Sequence, residues 1–407
     1  MVTNAAARRR LAEILGSFRG EGGKRVARLV SARVAGAIMQ AITMVVLARS
    51  LGASDFGTFC ALLSVGLVAG SLLGFGGASQ ALRMLREEQA DAVAATLLIA
   101  RAVTAIAISG LILLGSHIIG WAVVAPLAAV YVLTELVIEL SQALLMGRAL
   151  FVRAEVLIVS RRAIPLLALA LVPLGWVDPL VALALGWACS MPLAGAVLWG
   201  SLSRPAPLRK VLHDGRHFWL ATAVGNLQQL DVPVLALVAP PALIGHYAAA
   251  ARLTSPLTMI SSSIMSYMTP QMAGSATVDG RRAIFYAGRR GTALYGLLLI
   301  AASPVVAAVL PQILGPEYRS GGVLFAACSV AAAINGVGQT YASYLYAAGG
   351  QKLVAQLRMV ALPVNIIALA VAGYLGNMLA VGAVVVLAQL LNVALLHWAT
   401  STGVRDE

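Results

Sequence analysis

A helix of about 20 apolar residues spans the roughly 30 Å hydrocarbon core of a bilayer. Runs of that length recur through nearly the whole of this chain. Twelve can be read, at 26–50, 57–82, 92–115, 121–147, 152–173, 178–201, 217–239, 243–272, 287–311, 320–348, 353–374 and 377–400. Lipid offers no partner to a backbone N–H or C=O, so only helices and closed barrels cross it. The runs are rich in Leu, Ala, Val and Gly without the strict alternation that a barrel strand requires, so they predict helices. The expected class is an all-α integral membrane protein with about twelve transmembrane helices. Connections this short leave no space for a separate soluble enzyme domain. Composition agrees: 11% of the 407 residues are charged, against about 25% in soluble domains, and mean hydropathy is +0.89.

The formal net charge is +13, which by itself would suit a nucleic-acid partner. Its distribution argues for topology instead. With the N-terminus on the cytoplasmic side, all but three of the 29 Lys and Arg residues fall at the inner ends of the runs or in the loops joining them. Arg49, Arg319 and Arg252 are the exceptions. This is the positive-inside pattern, and it predicts a multi-pass protein of the cytoplasmic membrane with both termini inside and no nucleic-acid partner. Cys60, Cys189 and Cys328 stand far apart within apolar runs, so they read as packing residues rather than metal ligands or a disulfide framework. Residues 1–25 form a basic tail too short in apolar residues for a signal-peptide core.

The sequence repeats itself. "ARSLGASDFGTFCALLSVG" (48–66) and "ALVAPPALIGHYAAAARLT" (236–254) align at an offset of 188. Ala48, Gly57 and Ala61 match Ala236, Gly245 and Ala249, and Phe59 faces Tyr247. A weaker echo relates "LLMGRALFVRAEVLIVSRRAIPLLALALV" to "LYAAGGQKLVAQLRMVALPVNIIALAVAG". Two six-helix halves follow, 26–202 and 217–400, joined by a basic cytoplasmic linker at 203–216 and closed by a tail at 401–407. Parallel repeats of this kind are related by an axis along the membrane normal and place cargo between the halves.

The ordered motifs "LARSLGASDFGTF", "IGHYAAAARLTSPLTMISSSIMSYMTPQM", "ILGPEYRSGGVLFAACSV" and "YLYAAGGQKLVAQLRMVALPVNIIALAVAGYLGNMLAVGAV" resemble the polysaccharide-unit flippases. That family exports O-antigen, capsule or teichoic-acid precursors and belongs with the MATE exporters to the multidrug/oligosaccharidyl-lipid/polysaccharide (MOP) superfamily. The resemblance implies a MATE-like fold and an undecaprenyl-pyrophosphate-linked sugar as cargo. It also implies membrane lipids and polysaccharide polymerase or assembly proteins as partners. One departure is "VAPPALIGHY" (238–247), where the family shows a second Leu-Gly turn.

Charges buried in spans are expensive, about 2.5–3.5 kcal/mol each on insertion scales, so they mark sites facing protein or water. Arg33, Arg101, Arg161, Arg162 and Arg252 lie inside the spans, with Glu135, Glu139 and Asp231. The cationic excess suits an anionic pyrophosphate, whose oxygens the guanidinium fork matches. Two other readings stay open: Arg33 and Arg101 are near enough to the inner face to snorkel, and Arg161 and Arg162, pointing about 100° apart, cannot both aim straight into a cavity. Glu135 and Glu139 share one face of a helix. They are a proton site coupling export to proton entry, a Glu–Arg pair fixing span 4, or both. Asp231 beside Pro233 predicts a kinked, cavity-lining helix or a kink used for packing. Asn335, Gln339 and Tyr344 give span 10 a polar, aromatic face for sugars or for helix packing. The glycines of "LLGFGGAS" (72–79) are expected to serve close helix packing. With no Walker A sequence, metal cluster or nucleophile elbow, the chain reads as no enzyme, with no cofactor. The commitment is alternating access by a flippase carrying a polyprenyl-pyrophosphate-linked saccharide to the outer leaflet. A MATE-like exporter of small molecules, a non-transporting assembly component and a glycosyltransferase are the alternatives.

Overall fold

The computed structural model describes residues 21–74, 76–83, 90–121, 124–148, 150–198, 204–213, 219, 226–275 and 277–402. Most of the basic tail, the C-terminal residues 403–407, part of the linker and the side chain of Arg33 lie outside the described residues. The described chain is helical: α1 (Glu21–Leu73), α2 (Gly77–Arg83), α3 (Ala90–Ile119), α4 (Ala125–Gly147), α5 (Phe151–Ala168), α6 (Pro179–Leu198), α7 (Asp231–Val238), α8 (Pro241–Ala273), α9 (Val278–Leu314), α10 (Gly322–Ala347), α11 (Gln351–Tyr374) and α12 (Met378–Thr402). Every predicted span carries one of these helices or an arm of one.

Two breaks differ from expectation. Spans 1 and 2 are joined by a single non-helical residue of α1, Gly52 (φ 73°, ψ 173°), rather than by a loop. That backbone is open to glycine at little cost and strained for other residues. Span 2 itself breaks after Leu73, and Gly76 turns the chain at φ 67° before α2 begins. The glycines at 74, 76 and 77 end a helix beside the cavity described below, and Gly74 and Gly77 stand close to Arg101 and Leu97 of α3.

Eight of the described helices are long and apolar enough to cross a membrane. Their outward faces show why they suit lipid: Ile106 is 62% exposed, Leu298 68% and Leu379 66%. Patches of that kind on a soluble monomer would mark an interaction surface; here they meet acyl chains. α5, with Arg153, Glu155, Arg161 and Arg162, and α8, with its serines and Arg252, are the less apolar long helices. Both pack inward, α5 on α1 and α6, and α8 on α1 and α10.

The described helices pack in two groups. α1, α3, α4, α5 and α6 pack on one another, and α7 to α12 do so separately. The groups meet chiefly where α1 lies against α8, with α7 beside it. Lipid tails are as apolar as leucine, so helices in a bilayer associate through close packing of small residues. This seam does so. A Cβ on Gly57 would stand 2.7 Å from the backbone nitrogen of Gly245, and one on Gly245 would overlap the carbonyl oxygen of Ala53. Met44, Phe56 and Phe59 of one group then share a single core with Tyr247, Ala248, Ala249, Ala250 and Phe325 of the other.

Candidate functional site

At one end of the seam the two groups are bonded together. Ala53 N–H, just past the Gly52 break, donates to Glu317 Oε2 (2.9 Å). Away from that end lies a cavity of about 150 Å3 lined by Leu67, Ser71, Gly74, Arg101, Glu135, Glu139, Asn226 and Gln229, among others. Its walls come from both halves.

The charged wall is built on α4. Tyr131, Glu135 and Glu139 follow at i, i+4 and i+8, so they stack on one face. Glu139 takes Arg101 of α3 (Nη2–Oε2 3.0 Å). Arg101 also donates from Nε to the carbonyl of Leu136 (3.1 Å) and from Nη1 to the carbonyl of Gly70. A side chain at Gly74 would collide with this guanidinium, so the helix end at 74 makes its seat. Arg101 is 8% exposed, and each of its nitrogens has a partner. It holds α1, α3 and α4 together rather than snorkelling to the inner face.

Glu135 serves two arginines of α5, Arg161 and Arg162. Arg162 Nη2 lies 2.9 Å and Arg161 Nη1 3.4 Å from the same Oε1. Arg162 donates further to the Tyr131 hydroxyl (3.0 Å), which also accepts from Gln40 of α1 (3.4 Å). Tyr131 is fixed edge-on to Trp187 (4.7 Å between centroids) and to Phe59 (6.1 Å). The two carboxylates on this face are therefore met by different arginines. Counting Arg101, Arg161 and Arg162 against Glu135 and Glu139, the cluster keeps one net positive charge.

Arg252 stands apart. Its Nη2 donates to Ser64 Oγ of α1 across the seam (2.7 Å). Among the described residues no carboxylate pairs with it, although it lies within electrostatic range of Glu135 and Asp231. Asp231, at the start of α7, accepts from Tyr247 O–H (2.6 Å) and from Val232 N–H (2.8 Å). The break predicted there is a 3-10 turn at Leu227–Leu230, from which Gln229 reaches the cavity wall. Pro233 sits in the first turn of α7, where a missing N–H costs nothing.

Asn335, Gln339 and Tyr344 do not line this cavity. Tyr344 is 5% exposed, with its ring 4.9 Å from Phe285, in a separate core with Met272, Val354 and Leu396. Asn335 and Gln339 are half-buried on α10. Sequence reasoning passed over Tyr131, Ser64 and Glu317. Tyr131 had a signal, one helical turn before Glu135. Ser64 had a fainter one, being the repeat partner of Arg252.

Fold and site together define a multi-pass membrane protein with the two-group helical fold of membrane transporters and flippases. The chain belongs to the family of polysaccharide biosynthesis proteins, which matches it over residues 23–274. Solved structures show the same fold at low identity. The lipid II flippase MurJ in an inward closed conformation superposes with a TM-score of 0.73 at 12% identity, covering 92% of this chain and 87% of that one. The eukaryotic MATE transporter AtDTX14 gives 0.65 at 14% identity, covering 93% and 95%. A MOP superfamily transporter from Pyrococcus furiosus gives 0.64 at 17%, covering 94% and 97%. These neighbours are transporters and flippases rather than enzymes. No curated protein matches the sequence.

Proposed function

We propose that this protein carries a polyprenyl-diphosphate-linked saccharide from the inner to the outer leaflet of the cytoplasmic membrane by alternating access, with both termini inside. Arg252 carries the reading. A guanidinium at the seam between the halves, bonded to a neutral hydroxyl, retains donors and charge for a diphosphate, and a charge-assisted hydrogen bond is among the stronger polar contacts. Membership of a polysaccharide biosynthesis family supports the saccharide, and the likeness to a lipid II flippase supports the lipid carrier.

The cavity of about 150 Å3 is below the roughly 300–1,000 Å3 of ordinary ligand pockets, so loading requires the halves to part on the side away from Gly52. Arg161 and Arg162 are tied to Glu135 in this state. Protonating Glu135 and Glu139 would raise the cluster from one net positive charge to three. Proton uptake and anion binding would then favour each other, as linkage requires.

The cavity lining itself favours a second reading. It presents Arg101 with Glu135 and Glu139, two carboxylates to one guanidinium, which suits a small cation. Thermal stabilisation of the purified protein separates the two. Added polyprenyl-diphosphate saccharide should raise the unfolding temperature while the matching neutral polyprenol and a lipophilic cation do not. Stabilisation by the cation alone would replace the first reading with the second.

A further inference from the structure

The break at Gly52 leaves two sets of backbone groups short of helical partners, carbonyls before it and N–H groups after it. One group of each set is met from the other half of the molecule, by two consecutive residues. Glu317 accepts from Ala53 N–H (2.9 Å), and Tyr318 O–H donates to the carbonyl of Ala48 (3.4 Å). A carboxylate at the start of the second arm of α1 also meets the positive end of that arm's dipole. Glu317 and Tyr318 belong to the 3-10 turn Pro316–Gly321 between α9 and α10, entered through Gly315 at φ 123°.

The turn is braced from behind. His246 of α8 holds the carbonyl of Glu317 through Nε2 (2.9 Å), and its ring packs against Tyr318 (5.5 Å between centroids). Tyr318 is 1% exposed. Gly52 is fitted to the carboxylate, since a Cβ there would stand 2.8 Å from Glu317 Oε2. His246 adjoins Gly245, the residue whose backbone touches α1. One assembly therefore joins the closest backbone approach in the seam to the two bonds that finish the broken helix.

We propose that Glu317 and Tyr318 form a latch that holds this end of the two halves closed, and that it releases when the cavity opens there. The broken ends of α1 would pass to water as the latch parts, so opening leaves no backbone group unsatisfied in lipid. That explains why the break is placed at the rim. The latch acts on the conformational equilibrium and is independent of which cargo is carried.

Distances between spin labels test it without any substrate. With Cys60, Cys189 and Cys328 replaced by alanine, labels go on cysteines placed at Asp55 and Leu375, exposed positions on the two halves near this end. The full-length protein in nanodiscs should show mainly one short distance. Glu317→Ala should add a longer one, raising the open-to-closed ratio on the order of tenfold for a lost charged hydrogen bond. Tyr318→Phe, which keeps the ring, should shift it less. Glu317→Gln, which keeps an acceptor, should shift it least and serves if the alanine variant fails to fold. Folded Glu317→Ala, or folded Glu317→Gln with Tyr318→Phe where the alanine variant fails to fold, giving the parent's distribution would overturn the latch. That result would leave the cargo assignment untouched.

Discussion

Arg252 and Ser64 lie 188 positions apart, the offset that relates the two halves of the sequence, and they bond to each other (2.7 Å). Repeat-equivalent residues touch only where the axis relating the repeats passes between them. Gly57 and Gly245, separated by the same offset, also touch. The axis therefore runs through the seam between α1 and α8, and the asymmetry across it, a serine facing an arginine, puts a single positive charge beside the axis.

Because backbone meets backbone there, Gly245→Ala should destabilise by overpacking, about 1–3 kcal/mol. Gly110→Ala is the control, since nothing lies within 4 Å of a Cβ at that position and a helical glycine costs roughly 0.5–1 kcal/mol relative to alanine. Thermal unfolding in detergent should lower the midpoint for the first and leave or raise it for the second. Equal midpoints would mean that the seam yields.

The charged wall predicts an order of severity. Arg101→Ala frees a carboxylate and two backbone carbonyls, and breaking a buried pair by removing one partner costs about 3–5 kcal/mol. Glu135→Ala strands two arginines and should fall in the same range. Arg161→Ala should cost least, as Arg161 makes the longer bond and its Nε has no partner. Unfolding measurements that ranked Arg161 first would contradict the wall as described.

Orientation is checked by labelling single cysteines at Asp178 and Asp279, both exposed, in a background without the native three. Only the Asp178 position should react with an impermeant thiol reagent from outside intact cells. The reverse pattern would invert the assignment of both termini.

The class of fold was legible because lipid leaves so few solutions: run length marked the helices, and the charge pattern predicts a sidedness that the labelling above would test. Where the structure departs, single residues decide. Gly52 turns α1 without a loop because one residue at positive φ suffices, and no hydropathy window resolves one residue. The depth of Arg101, Arg161 and Arg162 marked them, but whether an arginine faces a cavity or a carboxylate depends on rotations between helices. The i, i+4 rule placed Glu135 and Glu139 together, and one further step would have reached Tyr131. Tyr344 stayed open between sugar contact and packing because a tyrosine in a core and one on a cavity wall look alike along a helix.

On the proposed function Glu135 and Glu139 would also carry the coupling. Transport into the outer leaflet of proteoliposomes should rise when an imposed pH gradient drives protons inward. Glu135→Gln combined with Glu139→Gln should abolish that response while leaving some transport. A double variant with the full gradient response would leave the pair a structural brace.

The cargo claim rests on Arg252: of Arg101, Arg161, Arg162 and Arg252 it alone has no carboxylate partner, so its loss strands no opposite charge. The decisive measurement is the rate at which reconstituted protein moves a fluorescent polyprenyl-diphosphate saccharide between leaflets. Losing one charge-assisted hydrogen bond is worth about 1.5–3 kcal/mol, roughly tenfold to a hundredfold in affinity. Arg252→Ala should slow transport by that order at low cargo, with Arg252→Lys between it and the parent, since it keeps the charge and loses the fork. If Arg252→Ala unfolds at the parent's temperature and flips the lipid at the parent's rate, this arginine does not bind the diphosphate.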